Sequence, residues 1–255
     1  MQARIVAASR GAHWLAEGWR LFRAAPLGWL GLAVAYLVLT QGLALVPLIG
    51  AAVAAILVPA LTVGVMCAAR AAAAGGRVEL GLLFEGLRQD RRGQLWLGVV
   101  YLGGALLTLA AFVLADHDGA VRALLAGKRP PGELQPDVLW PLAVVALVYA
   151  PIMMMFWFAP PLAAWHGVGT AKALFFSFVA CLINWRAFLA YAALAAALAI
   201  GLPSLALSLL MLTTGGAAQF SVIAMSMVFP LLVVLLPTLF ASIYASYRDV
   251  FGAAQ

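Results

Sequence analysis

Charged residues are scarce in this chain, and their scarcity excludes a soluble fold. Only 9% of the 255 residues are charged, whereas 66% are hydrophobic, and the mean hydropathy is +1.06. An average soluble protein is about one quarter charged. So few charges cannot cover the surface that a folded chain of this length exposes, so most of that surface must face lipid. Intrinsic disorder is excluded as well, because it requires few apolar and many charged residues.

Residues suited to metal binding and catalysis are also few. The two cysteines, Cys67 and Cys181, belong to no CxxC or Cys/His cluster, and none of the common hydrolase, metalloprotease or phosphate-loop motifs occurs. We therefore expect no metal, no cofactor and no catalytic residues, and we interpret the protein as a non-enzyme. The nearest approach to a reactive set is Cys181, Asn184 and Arg186, with His166 fifteen positions before Cys181. A fold that brought His166 to Cys181 would reopen the question.

Long uncharged runs predict an all-α integral membrane protein with six transmembrane helices. A spanning helix needs about 20 apolar residues. The uncharged runs contain 46 residues between Arg23 and Arg70, 23 between Arg92 and Asp116, 34 between Asp137 and Lys172, and 61 between Arg186 and Arg248. These lengths hold two, one, one and two helices. The predicted spans are 27–47, 51–72, 94–115, 138–161, 187–211 and 219–246, with turns at 46–50 and 213–216.

The distribution of Lys and Arg predicts the orientation. Twelve of the fifteen lie in segments on one side of the predicted spans, and the other three lie in the 116–137 loop. Since basic residues concentrate in cytoplasmic segments, both termini should be cytoplasmic and the 116–137 loop extracytoplasmic. The net charge of +6 is explained by this topology, and we expect no nucleic-acid partner.

An amphipathic segment precedes the first, third and fifth predicted spans. Such helices lie at the membrane interface, with the apolar face among acyl chains and the basic face at the headgroups. We therefore expect membrane lipids as partners, in particular anionic headgroups at the cytoplasmic face near Arg88, Arg91 and Arg92. The three apolar stripes are Trp14, Leu15, Gly18, Leu21 and Phe22; Leu80, Leu83, Phe84 and Leu87; and Ala171, Leu174, Phe175, Phe178 and Leu182.

The order of these elements predicts a single membrane domain, 1–255, built from three hairpins that each follow an interfacial helix. The units are about 10–74, 78–164 and 168–247. Units one and two share the pattern Glu-Gly-x-Arg, at 17–20 and 85–88, and unit three lacks it. Because amphipathic helices beside membranes are common, coincidence remains the alternative to a true repeat.

Two hypotheses for the function follow. The first is a non-enzymatic membrane component that acts on lipids or partner proteins through its basic helices. The second is a permease or facilitator for a small amphiphilic or lipid-like substrate. The second is favoured by prolines within the spans, which free backbone carbonyls, although prolines also simply kink membrane helices. These prolines are Pro59, Pro151, Pro203, Pro230 and Pro237, and the polar residues that could line a path or join helices are Gln41, Thr62, Thr108, Ser204, Ser208, Ser221 and Ser226.

Several short motifs resemble a family of six-span inner-membrane proteins of Gram-negative bacteria. They are Gly18-Trp19-Arg20-Leu21-Phe22 followed by Pro26, Phe158-Ala159-Pro160-Pro161-Leu162, the segment 177–185 (SFVACLINW) and the segment 244–251 (YASYRDVF). The resemblance covers nearly the whole chain and implies the fold and the location. A more distant likeness, in arrangement only, is to the membrane domain of membrane-anchored glycerophosphodiester phosphodiesterases. Neither resemblance supplies catalytic residues.

Overall fold

A computed structural model describes residues 3–47, 49–116, 119, 121, 123, 139–214 and 220–252. The described residues are helical or connect helices, and none of them forms a strand. The helices are α1 (Arg10–Ala24), α2 (Pro26–Ala44), α3 (Gly50–Ala73), a 3₁₀ turn (Leu80–Phe84), α4 (Glu85–Gln89), α5 (Arg91–Ala115), α6 (Leu139–His166), α7 (Thr170–Ile183), α8 (Trp185–Ala196), a π-helical turn (Ala197–Gly201), α9 (Leu202–Thr214) and α10 (Phe220–Phe251).

Six helices of the described chain are long and apolar enough to cross a membrane, as the uncharged runs predict. They are α2, α3, α5, α6, the continuous stretch Trp185–Leu209, and Pro230–Phe251 within α10. The predicted turn at 46–50 falls between α2 and α3. Most of the predicted 116–137 loop and part of the predicted 213–216 turn lie outside the described residues.

Each segment that precedes a predicted pair of spans packs on the second span of another pair. The first segment, α1, lies along α10 and also contacts α8; the 3₁₀ turn and α4 lie on α3; and α7 lies along α6. The first and the last of the described helices therefore pack against each other. The core forms where these segments meet the spans, with Trp14, Trp29, Phe158 and Tyr247 almost fully buried.

The prediction that the first amphipathic segment faces acyl chains is wrong. Its apolar side chains, including Trp14 and Phe22, are buried within the protein, because α1 presents this face to α10 and α8. The apolar stripe predicted on α7 does face outward, with Phe175 exposed by 62%, and the buried face of α7 carries small and polar residues instead. A hydrophobic stripe does not distinguish the two outcomes, because lipid tails are as apolar as a protein core.

The middle segment differs from its predicted helix for a local reason. A 3₁₀ turn precedes α4, and the backbone breaks again at Asp90 before α5 begins. This changes which side chains share a face. Only Leu83 of the predicted stripe is buried, whereas Leu80 and Phe84 are exposed.

The shared Glu-Gly-x-Arg pattern has the same structural role in both places. A Cβ on Gly18 would collide with the carbonyl oxygen of Thr238, and a Cβ on Gly86 would collide with that of Ala60. In each case the glycine lets its own helix lie close against the backbone of a span. The contacted residue of the span directly follows a proline, Pro237 for Gly18 and Pro59 for Gly86. The flanking Glu and Arg form an ion pair, at 2.6 Å between residues 17 and 20 and at 2.9 Å between residues 85 and 88.

Candidate functional site

The ends of several spans meet at one end of the bundle. We call it the basic end, because it carries Arg10, Arg20, Arg70, Arg88, Arg91, Arg92, Arg186 and Arg248. The guanidinium of Arg70, near the end of α3, lies 4.9 Å from the ring centre of Trp165, near the end of α6. The N–H of Arg4 donates to the carbonyl of Val250 in α10 at 2.8 Å. In α5, the Gln94 side chain donates to the carbonyl of Pro160 in α6 at 3.0 Å. These contacts join segments that are distant in the sequence at this end of the bundle.

One carboxylate on this surface connects α10 to α1. Asp249 accepts two hydrogen bonds from the guanidinium of Arg10, both at 2.7 Å, and a third from the indole N–H of Trp14 at 2.8 Å. Its side chain is only 14% exposed. The hydrogen bonds to Asp249 raise the pKa of Arg10 further above its ordinary value. Bidentate, charge-assisted pairs of this kind fix geometry as well as supplying energy.

A second carboxylate joins the same two helices. Glu17 pairs with Arg20 at 2.6 Å and with Arg248 at 2.9 Å. Burial alone would raise the pKa of Glu17, but the hydrogen bonds from the two arginines outweigh that effect and hold the pKa below its ordinary value. A cavity of about 250 Å³ lies between these two ion-pair groups. The arginine and carboxylate side chains that line the cavity already pair with one another. We therefore interpret them as a structural connection between α1 and α10 rather than as a ligand site.

The residues that came nearest to a reactive set serve the packing of the chain. Asn184 donates to the carbonyl of Arg4 at 3.0 Å and accepts from the N–H of Val6 at 2.8 Å, which fixes the N-terminal segment. The thiol of Cys181 donates a hydrogen bond to the carbonyl of Met154 at 3.5 Å, and burial raises the pKa of this thiol to about 12. A nucleophilic cysteine needs the opposite shift and a neighbouring base.

The other two residues of that set lie elsewhere. A ring nitrogen of His166 forms its hydrogen bond with the hydroxyl of Tyr247 in α10. Arg186 is exposed, with its guanidinium 5.4 Å from the ring centre of the neighbouring Trp185. Among the residues that the structure describes, no three His, Cys, Asp or Glu side chains cluster as metal ligands would.

Aromatic rings fill the interior behind the basic end. Trp14 contacts Phe188 with ring centres 5.2 Å apart, and Trp157 contacts the same ring at 5.5 Å. Phe158 contacts both Phe188 and, at 5.3 Å, Phe251. These contacts join α1, α6, α8 and α10 into one packed layer of rings.

Hydrogen bonds between helices use residues that the sequence analysis did not single out. The hydroxyl of Ser177 donates to the carbonyl of Met154 at 2.7 Å and accepts from the N–H of Phe158 at 2.9 Å, which docks α7 on α6. The expected polar residues act differently: Thr62, Thr108 and Ser208 donate to carbonyls of their own helices. One signal was available, since Ser177 is a polar residue within an apolar segment. Gln41 is exposed, and the side chains of Ser221 and Ser226 lie outside the described part.

A second cavity, of about 410 Å³, opens where α5 begins and where the turn Gly167–Gly169 joins α6 to α7. Asp90, Arg92 and Trp96 line one side of it, and the turn with Thr170 lines the other. Both Arg92 and its neighbour Arg91 are exposed, and neither forms an ion pair with the residues that the structure describes. Arg88, the third arginine expected to meet anionic lipid, is paired with Glu85 and holds the pKa of that carboxyl below its ordinary value.

Comparison with known proteins gives one full-length relative. The chain is 37% identical over 263 residues to a protein of Burkholderia thailandensis named "probable inner membrane protein", and the alignment covers 100% of this chain and 96% of the relative. No family model and no solved structure matches the chain.

Proposed function

Since the chain belongs to the same inner-membrane protein family as its Burkholderia thailandensis relative, we propose that it is a non-enzymatic component of that membrane whose basic end binds anionic lipid headgroups. Its multi-pass character rests on the six apolar helices. The finer proposal concerns what the charged surface at one end of those helices does.

The observation that carries the proposal is the state of Arg91 and Arg92. Four arginines of the described basic end already form ion pairs: Arg10 with Asp249, Arg20 and Arg248 with Glu17, and Arg88 with Glu85. Arg91 and Arg92 keep their charges available at the first residues of a span. Each such charge near an anionic membrane surface contributes about 1 kcal/mol of attraction.

The topology belongs to the same proposal. We place both termini in the cytoplasm, the 116–137 loop outside it, and the three pre-span segments beside the headgroups. The positive-inside rule supports this orientation. The outward apolar face of α7, with Phe175 and Leu182 exposed, supports contact between that segment and acyl chains. For α1 the contact with lipid is restricted to its polar side, because its apolar side is buried.

The absence of enzymatic activity is also a proposal. It is supported by the hydrogen bond that Cys181 makes to a carbonyl and by the raised pKa of its thiol, neither of which prepares a nucleophile.

A facilitator is the alternative function. A path through the basic end would have to displace the aromatic layer around Trp157 and Phe158, whose rings are packed against α8 and α10. The intrahelical hydrogen bonds of Thr62 and Thr108 give no support to a polar lining. The non-enzymatic lipid-binding component is therefore the better-supported function.

The proposal is tested on the full chain in nanodiscs of mixed phosphatidylglycerol and phosphatidylcholine. The measurement is the enrichment of phosphatidylglycerol among the lipids retained after brief detergent extraction. The triple variant R88Q/R91Q/R92Q should lose most of this enrichment, and the wild-type enrichment should fall at high salt. The control R122Q/K128Q/R129Q removes the same net charge from the predicted opposite side. Equal loss in both triple variants would show that net charge alone, rather than the basic end, attracts the lipid.

A further inference from the structure

The 410 Å³ cavity beside Arg92 has the size of a small ligand site. The hydrogen bond from Gln94 to the carbonyl of Pro160 ties the α5 wall to α6 directly beside the cavity. The opposite wall is the glycine turn, where Gly167 adopts a φ of +61° and a Cβ on Gly167 or Gly169 would meet no atom within 4 Å. Neither glycine carries a side chain that could occupy the cavity.

The charged side chains of the cavity have opposite signs. Arg92 forms no ion pair with the described residues. One carboxylate oxygen of Asp90 accepts the N–H of Gly93 at 3.0 Å and caps α5, which leaves its other oxygen free of that bond. A purely anionic ligand would be attracted by Arg92 and repelled by Asp90. A ligand with both a negative and a positive group would match both side chains.

An exposed apolar stripe continues from the cavity along α5. Trp96, four residues after Arg92, is 57% exposed, and it is followed on the same face by Val99 and Leu106, exposed by 47% and 56%. Residues with this spacing lie above one another on a helix. A charged pocket that opens onto an apolar stripe fits an amphiphile, with its headgroup in the pocket and an acyl chain along the helix.

We propose that this cavity binds one glycerophospholipid whose headgroup carries a primary ammonium, with the phosphodiester at Arg92 and the ammonium at Asp90. This goes beyond the attraction of anionic lipid proposed above, because the site selects a zwitterionic headgroup and is filled by one lipid per chain. Phosphatidylethanolamine has this chemistry. Phosphatidylcholine has no ammonium N–H that could donate a hydrogen bond to Asp90, and phosphatidylglycerol has no positive charge in its headgroup.

The test is native mass spectrometry of the full chain, titrated separately with phosphatidylethanolamine, phosphatidylcholine and phosphatidylglycerol of one acyl composition. The first phosphatidylethanolamine should bind more tightly than the first molecule of either other lipid. R92Q should weaken this first binding about tenfold, because a charge-assisted hydrogen bond is lost. The matched control is R186Q, which changes an exposed arginine at the start of α8, outside the cavity lining, and should bind the first phosphatidylethanolamine as the wild type does.

A second variant separates recognition from folding. In D90N the helix cap is kept, because asparagine caps helices as well as aspartate does. D90N should lose the preference for phosphatidylethanolamine over phosphatidylcholine while its thermal stability stays unchanged. Equal binding of phosphatidylethanolamine by R92Q and R186Q, or an unchanged preference in D90N, would overturn the proposal. Such a result would leave the phosphatidylglycerol enrichment of the preceding proposal standing, since that enrichment is measured with a different lipid and the triple variants.

Discussion

Arg10 and Asp249 are 239 residues apart in the chain and form a bidentate ion pair, with both nitrogen–oxygen distances at 2.7 Å. The pair attaches the first helix to the last one, and the indole N–H of Trp14 bonds to the same carboxylate. The first and last described helices are therefore held together at the basic end, and the hairpins do not pack independently of one another.

The variant R10Q should lower the free energy of unfolding by about 1–3 kcal/mol, because it leaves the largely buried carboxylate of Asp249 with one fewer charged partner. Equilibrium unfolding in detergent measures this change. The matched control is R20Q, another Arg-to-Gln change on α1. Arg20 is 67% exposed and its loss leaves Glu17 paired with Arg248, so R20Q should cost less than about 1 kcal/mol. Equal losses in the two variants would contradict a structural role for the Arg10–Asp249 pair.

Gly18 and Gly86 should not tolerate a methyl group. In G18A and G86A the new Cβ would meet the carbonyl oxygens of Thr238 and Ala60, so the packed segment must move away, at a cost of about 1–3 kcal/mol. The control is G103A in α5, where a Cβ would meet nothing within 4 Å. There alanine should stabilise the helix by about 0.5–1 kcal/mol. Thermal unfolding of the three variants in the same detergent decides the matter, and a drop of equal size in G103A would speak against close packing at the other two sites.

Stability should depend on pH through Glu17. Its pKa is lower in the folded protein, so its ion pairs stabilise the fold fully above the ordinary glutamate pKa of about 4.3. This stabilisation is lost as the pH falls through the lowered pKa of the folded state. Wild-type stability should therefore decrease more steeply on acidification below about pH 5 than that of E17Q. Glu79 is exposed and unpaired within the described chain, so E79Q should follow the wild type. Parallel curves for E17Q and the wild type would refute the contribution of Glu17.

The orientation can be tested by labelling single cysteines in intact cells with an impermeant thiol reagent. Cysteines at Gly119 and Gly132 should react, and cysteines at Gln2 and Ala254 should not, because the positive-inside rule places both termini in the cytoplasm. Gly132, Gln2 and Ala254 lie outside the described residues. The native Cys67 and Cys181 are buried, which keeps the background low. Labelling at Gln2 and Ala254 alone would show that the orientation is the opposite of the predicted one.

The purified protein should show no turnover of phospholipid, glycerophosphodiester or peptide substrates in nanodiscs. The reason is that Cys181 is bonded to a backbone carbonyl and its pKa is raised to about 12, so the thiolate is absent at neutral pH. The control is C181S, which keeps a hydrogen-bond donor at the same place. Turnover by the wild type that disappears in C181S would show that the protein is an enzyme after all.

The candidate site was only partly visible in the sequence. The charge pattern indicated Arg91 and Arg92, because basic residues that flank a long apolar run are a local signal. Trp96 and the turn at Gly167 carried no such signal. Their importance comes from the meeting of α5 with the α6–α7 turn, and Trp96 and Gly167 are 71 residues apart in the chain.

The sequence by itself determined the all-helical class, the membrane location and the positions of the six apolar helices. These properties depend on local hydropathy and run length, which the bilayer thickness converts directly into spans. The tertiary structure alone decided which faces meet protein and which remain outside. The stripe of α1 is buried while that of α7 is exposed, since an apolar side chain gains equally from lipid and from a protein core. What distinguishes them is close approach and polar pairing, through Gly18 against α10, Ser177 against α6, and Arg10 with Asp249, and these contacts exist only when distant segments meet.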